Sequence, residues 1–109
     1  MHYATLDDFV NDLPAHAEKA QDKLKGQNGL FSLTTKQGRT YWAELNDGLV
    51  TIPAETPART ADCAVTADEK DMLAMINGEL SPLPAILFGR VQIRGDKALL
   101  MKLVSLMNG

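Results

Sequence analysis

One cysteine and two histidines among 109 residues leave little with which to bind a transition metal or to run nucleophilic catalysis. A single thiol, Cys63, excludes an internal disulfide and fits a reducing compartment, so the expected location is cytoplasmic. No apolar run approaches the roughly 18 residues that a membrane span requires. The opening stretch MHYATLDDF has neither a basic region nor an apolar signal core, so nothing in it points to export. Basic residues number 11 against 14 acidic ones, a formal charge of −3. That balance argues against a nucleic-acid partner and leaves at most weak membrane contact. A glycine-rich phosphate loop is missing, and so are internal repeats, low-complexity tracts and linkers. No cofactor and no metal are expected.

What is present is apolar: 45% of the residues are hydrophobic, enough for one core and one domain across residues 1–109. Thr5 and Asp8 have the spacing of a capping box, followed by Leu6, Phe9, Val10 and Leu13 at helical intervals. Pro14 is expected to end or re-aim that helix, with a second one over PAHAEKAQDKLK. Strands are then read at Leu30–Thr35, Arg39–Asn46 and Leu49–Ala54, the last two joined by the hairpin dipeptide Asp47-Gly48. Ala61–Thr66 is a weaker fourth strand. Thr66 and Glu69 have a second capping-box spacing, introducing a helix with Met72, Leu73 and Ile76 on one face and Gly78 at its end. In RVQIR, Val91 and Ile93 alternate inward, with Arg90, Gln92 and Arg94 outward. Asp96 caps a last helix carrying Leu99, Leu100, Leu103, Val104, Leu106 and Met107.

Candidate chemistry is sparse. His16 lies beside charged neighbours on a helix and reads as solvated. Cys63 has no adjacent base and reads as a buried, inert thiol. Asp68, Glu69 and Asp71 are explained by helix capping, and Arg90 and Arg94 by a solvated strand face. No catalytic residue is assigned, and the chain is read as a non-enzyme. An enzyme using Cys63 or His16 stays as a rival. Periodicity alone does not separate a filled core from a lined cavity, although five methionines suit an adaptable lining.

The run MLAMINGELSPLPAILFGRVQIRGDKALLMKLVSLM resembles the C-terminal half of the sterol carrier protein type 2 domain. The pattern is Gly78-x-Leu80-x-Pro82, Ala85, then Gly89-x-Val91-x-Ile93-x-Gly95-Asp96, then Leu100-Met101-Lys102-Leu103. YWAELNDG looks like the family's tryptophan-bearing second strand and its turn. The resemblance implies an α+β fold: a five-stranded, mostly antiparallel sheet with helices over one face, enclosing an apolar tunnel. It implies binding or transfer of an apolar lipid, whether fatty acyl chain, acyl-CoA, phospholipid or sterol-like molecule. By position, Met72, Leu73, Ile76, Leu83, Ile86 and Leu87 would face the tunnel, as would Leu99, Leu103, Val104 and Met107. Phe31, Leu33, Val91 and Ile93 would form its floor. Within that picture Pro82 and Pro84 stiffen a turn, and AILF supplies one wall. The ending LMNG lacks the additional segment and peroxisomal tripeptide that some members carry, which favours a generic apolar chain over a sterol as cargo. Two other readings stand beside the carrier: a scaffold module of the same fold with a filled core, and an accessory domain to an enzyme of lipid metabolism.

Overall fold

The structure, a computed structural model, describes residues 3–101. Helix α1 (Leu6–Glu18) starts where its cap predicts: the Thr5 hydroxyl accepts a hydrogen bond from the Asp8 amide at 3.1 Å. It does not stop at Pro14. The proline lies inside the helix, which corrects the expectation of two helices divided there. Burial on both sides is the reason. Leu6, Phe9, Val10 and Leu13 before the proline and Ala17 after it are all core residues. Their burial outweighs the lost backbone hydrogen bond and ring clash of an interior proline, a defect of about 3 kcal/mol. The break comes instead at Lys19 and Ala20, before a short α2 (Gln21–Leu24) that buries Leu24.

Five strands make one sheet: β1 (Asn28–Thr35), β2 (Thr40–Asn46), β3 (Leu49–Thr51), β4 (Cys63–Ala67) and β5 (Val91–Gly95). Their order is β3-β2-β1-β4-β5, antiparallel except for the parallel β1–β4 pair. Asp47 and Gly48, at φ 49° and 84°, form the β2–β3 turn, with the two positive φ values of a tight hairpin. β3 covers three residues instead of the six read from LVTIPA. The chain leaves the sheet ahead of Pro53, which has no amide to donate to a ladder.

Helices α3 (Glu69–Ile76) and α4 (Pro82–Leu87) connect β4 to β5. The cap of α3 is Asp68, whose carboxylate accepts from the Lys70 amide at 2.9 Å. Thr66 does not fill the role expected of it, because it is still paired with Thr34 and Gln92 in the sheet. At the other end the Glu79 amide donates to the Ala74 carbonyl and the Gly78 amide to the Met75 carbonyl, a Schellman ending with Gly78 at φ 79°. The proline-stiffened stretch is a helix and not a turn. Pro82 occupies its first turn, where a missing amide donor costs nothing. After β5, the Asp96 carboxylate accepts from the Leu99 amide at 3.0 Å and residues 97–101 are helical.

Strand register sorts the side chains by face. Phe31, Leu33, Tyr41, Ala43, Leu45, Val65 and Ile93 share the face against which α1 and α3 pack. Ser32, Thr34, Trp42, Ala64 and Arg94 alternate onto the other.

Candidate functional site

Between α1, α3 and the helix-covered face of the sheet lies an apolar cavity with about 70 Å³ of free space. Phe9, Val10 and Leu13 line it from α1, and Met72, Met75 and Ile76 from α3. Phe31, Leu33, Tyr41, Ala43 and Leu45 supply the sheet side, with Val50, Val65 and Leu100 alongside. The geometry follows from local structure. Positions i, i+3/i+4 and i+7 of α1 point at the same face that β1 and β2 present every second residue. Among the described residues no carboxylate, histidine or lysine is in the lining. Its half-buried members include the cross-strand neighbours Leu33 and Tyr41, together with Ala43 and Ile76; most of the others are buried. The rim therefore includes the end of the sheet nearest the β1–β2 turn.

Of the residues named from sequence, Phe31, Leu33, Met72 and Ile76 line this cavity. Val91 and Leu99 are buried in the core but outside the lining, and Leu73, Ile86 and Ile93 pack half-buried against the core. Leu83 and Leu87 do not reach it: they are 63% and 81% exposed, next to an equally exposed Phe88. The expected greasy wall from AILF is therefore corrected. A helix of six residues buries one side only, and in α4 that side is Ala85 with part of Ile86. Leu103, Val104 and Met107 lie outside the described residues. Sequence reasoning missed the share of α1, and also Tyr41, Trp42, Ala43, Leu45, Val50, Val65, Met75 and Leu100. The helical period of α1 was visible, but a period marks an inward face without saying whether that face meets atoms or space.

The polar residues singled out from sequence, Cys63, His16 and Arg90, lie outside the cavity lining. Burial pushes the Cys63 thiol up to about 11, with Asp96 adding to the shift, the reverse of what a nucleophilic thiolate needs. His16 is half-buried, not solvated as read from sequence, and its Nδ1 is covered with no hydrogen-bond partner among the described residues. Arg90, read as solvated, pairs with Asp71 at 2.6 Å and ties the start of β5 to α3. Tyr3 donates to Asp12 at 2.7 Å, and burial, followed by that carboxylate, raises the Tyr3 phenol to about 12. Among the described residues no group of three His, Cys, Asp or Glu side chains is placed to hold a metal ion, and no helix is long and apolar enough to cross a membrane.

Sheet, covering helices and cavity define a class: a small α+β domain built around an apolar pocket. The chain belongs to the SCP-2 sterol transfer family, which matches residues 10–108. It is 29% identical over 94 residues to sterol carrier protein 2 of Rattus norvegicus, covering 82% of this chain and 17% of that protein. Palmitated SCP2L2 from Aedes aegypti superposes at a TM-score of 0.70 with 20% identity, covering 96% of both chains. The inverting sec-alkylsulfatase Pisa1 from Pseudomonas sp. superposes at 0.80 with 21% identity, covering 94% of this chain and 16% of the enzyme. The chain spans less than a fifth of the length of the curated relatives it matches.

Proposed function

We propose that residues 1–109 act as one lipid-binding unit that takes up an apolar lipid between α1, α3 and the sheet, without catalysing a reaction on it. The observation that carries this is the cavity lining: apolar side chains from two helices and from the sheet, in a chain of the SCP-2 sterol transfer family. A fatty acyl chain is the cargo that suits it best, with acyl-CoA, phospholipid and sterol-like molecules as relatives of the same chemistry. Burying about 15 methylenes at roughly 0.8 kcal/mol each gives on the order of 12 kcal/mol before the cost of association is subtracted. The free space of about 70 Å³ is well below the roughly 300 Å³ at the small end of ligand pockets. Loading therefore requires α1 and α3 to move off the sheet. A small cavity is also what stability favours. At about 24 cal/mol per Å³, an unfilled 300 Å³ would cost roughly 7 kcal/mol, against about 2 kcal/mol for the space present. Met72 and Met75, unbranched and polarizable, are the lining residues that re-pack most readily.

A second reading has one observation in its favour: this chain matches only a small part of much longer relatives, and superposes on a small part of an alkylsulfatase. On that reading the same cavity serves a lipid-metabolising enzyme as an accessory domain.

The test is direct. Purified protein is incubated with a mixed lipid extract, re-isolated and examined by native mass spectrometry, alongside Ala43→Phe. Ala43 lies half-buried in the lining, and the added ring occupies the free space. The wild-type chain is expected to retain acyl lipid, and Ala43→Phe to bind it about tenfold less tightly while staying folded. Retention of no lipid by either protein overturns the proposal.

A further inference from the structure

We infer that Arg39 receives the anionic head of the bound acyl chain, in exchange for Asp7. The inference rests on the lipid-binding reading and specifies which end of the ligand stays outside, and on what. Among the described residues nothing charged lines the cavity, so an ionised head placed among them would be left without a partner, and the head stops at the rim. The rim includes Tyr41, a half-buried residue of the lining. The Arg39 guanidinium lies over the ring of Tyr41, 4.8 Å from its centroid. One aromatic side chain thus joins the cavity to a cation.

Arg39 is occupied by an exchangeable partner. Its Nη2 and Nη1 reach the two Asp7 carboxylate oxygens at 2.8 and 3.1 Å, the two-pronged geometry that suits any carboxylate or phosphate. Both side chains are open to water, 61% and 48% exposed, so the pair contributes little and is easily displaced. Burial raises the Tyr41 phenol, a hydrogen bond to Asp7 and that carboxylate's charge raise it further, Arg39 opposes them, and Glu69 adds to the rise from the start of α3. At this rim the Arg39 cation is thus held by Asp7, with the Glu69 carboxylate close by. An acid head entering beside Tyr41 takes the place of Asp7 on the guanidinium while its chain runs inward past Leu33 and Tyr41. A neutral lipid gains nothing from that cation.

The experiment titrates the full chain and two variants, Arg39→Gln and Asp7→Asn, with palmitic acid, methyl palmitate and hexadecyl phosphate, each displacing the same uncharged fluorescent probe. Arg39→Gln is expected to weaken palmitate about fivefold, and Asp7→Asn to strengthen it by a similar factor, with methyl palmitate unchanged in both. Whichever of palmitate and hexadecyl phosphate responds more strongly identifies the head as carboxylate or phosphate. Changes of equal size for acid and ester, or no change for either anion, overturn the role of Arg39 and leave lipid binding intact. Failure of every ligand to displace the probe removes lipid binding itself. A purely structural ion pair would lower the melting temperature of both variants and leave the acid-to-ester ratio where it was. Should Arg39→Gln fold poorly, the gain on Asp7→Asn decides alone.

Discussion

Helices α3 and α4 follow one another in the chain, are both rich in apolar residues, and finish in the same hydrogen-bonded motif. In α4 the Arg90 amide donates to the Ala85 carbonyl and the Gly89 amide to the Ile86 carbonyl, as Glu79 and Gly78 do in α3. Only α3 lines the cavity. It has eight residues, a side-chain cap at Asp68, and Met72 and Met75 buried. α4 has six residues, no side-chain cap, and Ala85 as its one buried residue. Apolar content does not assign a residue to a binding site; the face turned to the sheet does. The first test is therefore the harshest. Met72→Asp, at a fully buried position, should cost more than about 4 kcal/mol or unfold the domain, because the new carboxylate has no partner there. Leu87→Asp should stay within about 0.5 kcal/mol of wild type. Urea unfolding of the two variants measures both, and similar losses would erase the distinction between the helices.

The same contrast shows what was legible beforehand. Strand positions and faces were readable because period two is short: Phe31, Leu33, Val91 and Ile93 do lie on one face of a sheet whose strands pair in register. The Asp47-Gly48 turn and the Gly78 stop were readable because each needs a backbone conformation that few residues adopt. Leu83 and Leu87 were misplaced because six residues make fewer than two turns, too few for a period to show which side is inward. Pro14 misled because a local rule about a missing donor was overridden by burial on either side of it. Tyr41 was passed over for another reason. It lines the cavity because β2 pairs with β1 in the register that sets it opposite Leu33, and that register is not written in either strand alone.

Matched glycines sharpen the comparison at intermediate size. Gly78 and Gly89 sit at φ 79° and 74°, and a Cβ added at either meets nothing within 4 Å. Alanine at each position should therefore cost about 1–2 kcal/mol through backbone strain alone, with no clash to relieve. Thermal melts should show two similar losses. Acyl-probe affinity should fall for Gly78→Ala only, because Met75 and Ile76 in the last turn of α3 line the cavity and the residues of α4 do not. An equal loss of affinity for Gly89→Ala would bring α4 back into the site.

The smallest expected effect concerns how the two helices begin. Asp68 caps α3 and accepts from the Gln37 side chain at 2.9 Å as well as from the Lys70 amide. These bonds, the Gln37 one foremost, hold its carboxyl below the ordinary carboxylate value. The folded value is then lower than the unfolded one, near about 3.9. The stabilisation is therefore fully present above the unfolded value and is lost as pH falls through the folded one, a window lying below about pH 4. Asp62 has the same sign, its carboxyl lowered by the Leu30 amide and then by Arg59, so the acid slope has two contributors. Asp68→Asn keeps a capping oxygen and removes the titration. Its stability should match wild type near neutral pH, and fall less steeply below about pH 4. Ser81, at the start of α4, makes no side-chain cap bond, so Ser81→Ala should alter neither the level nor the slope. Urea midpoints across that range decide it: an undiminished slope in Asp68→Asn would leave Asp62 as the group that carries the acid sensitivity, and α3 would begin no differently from α4.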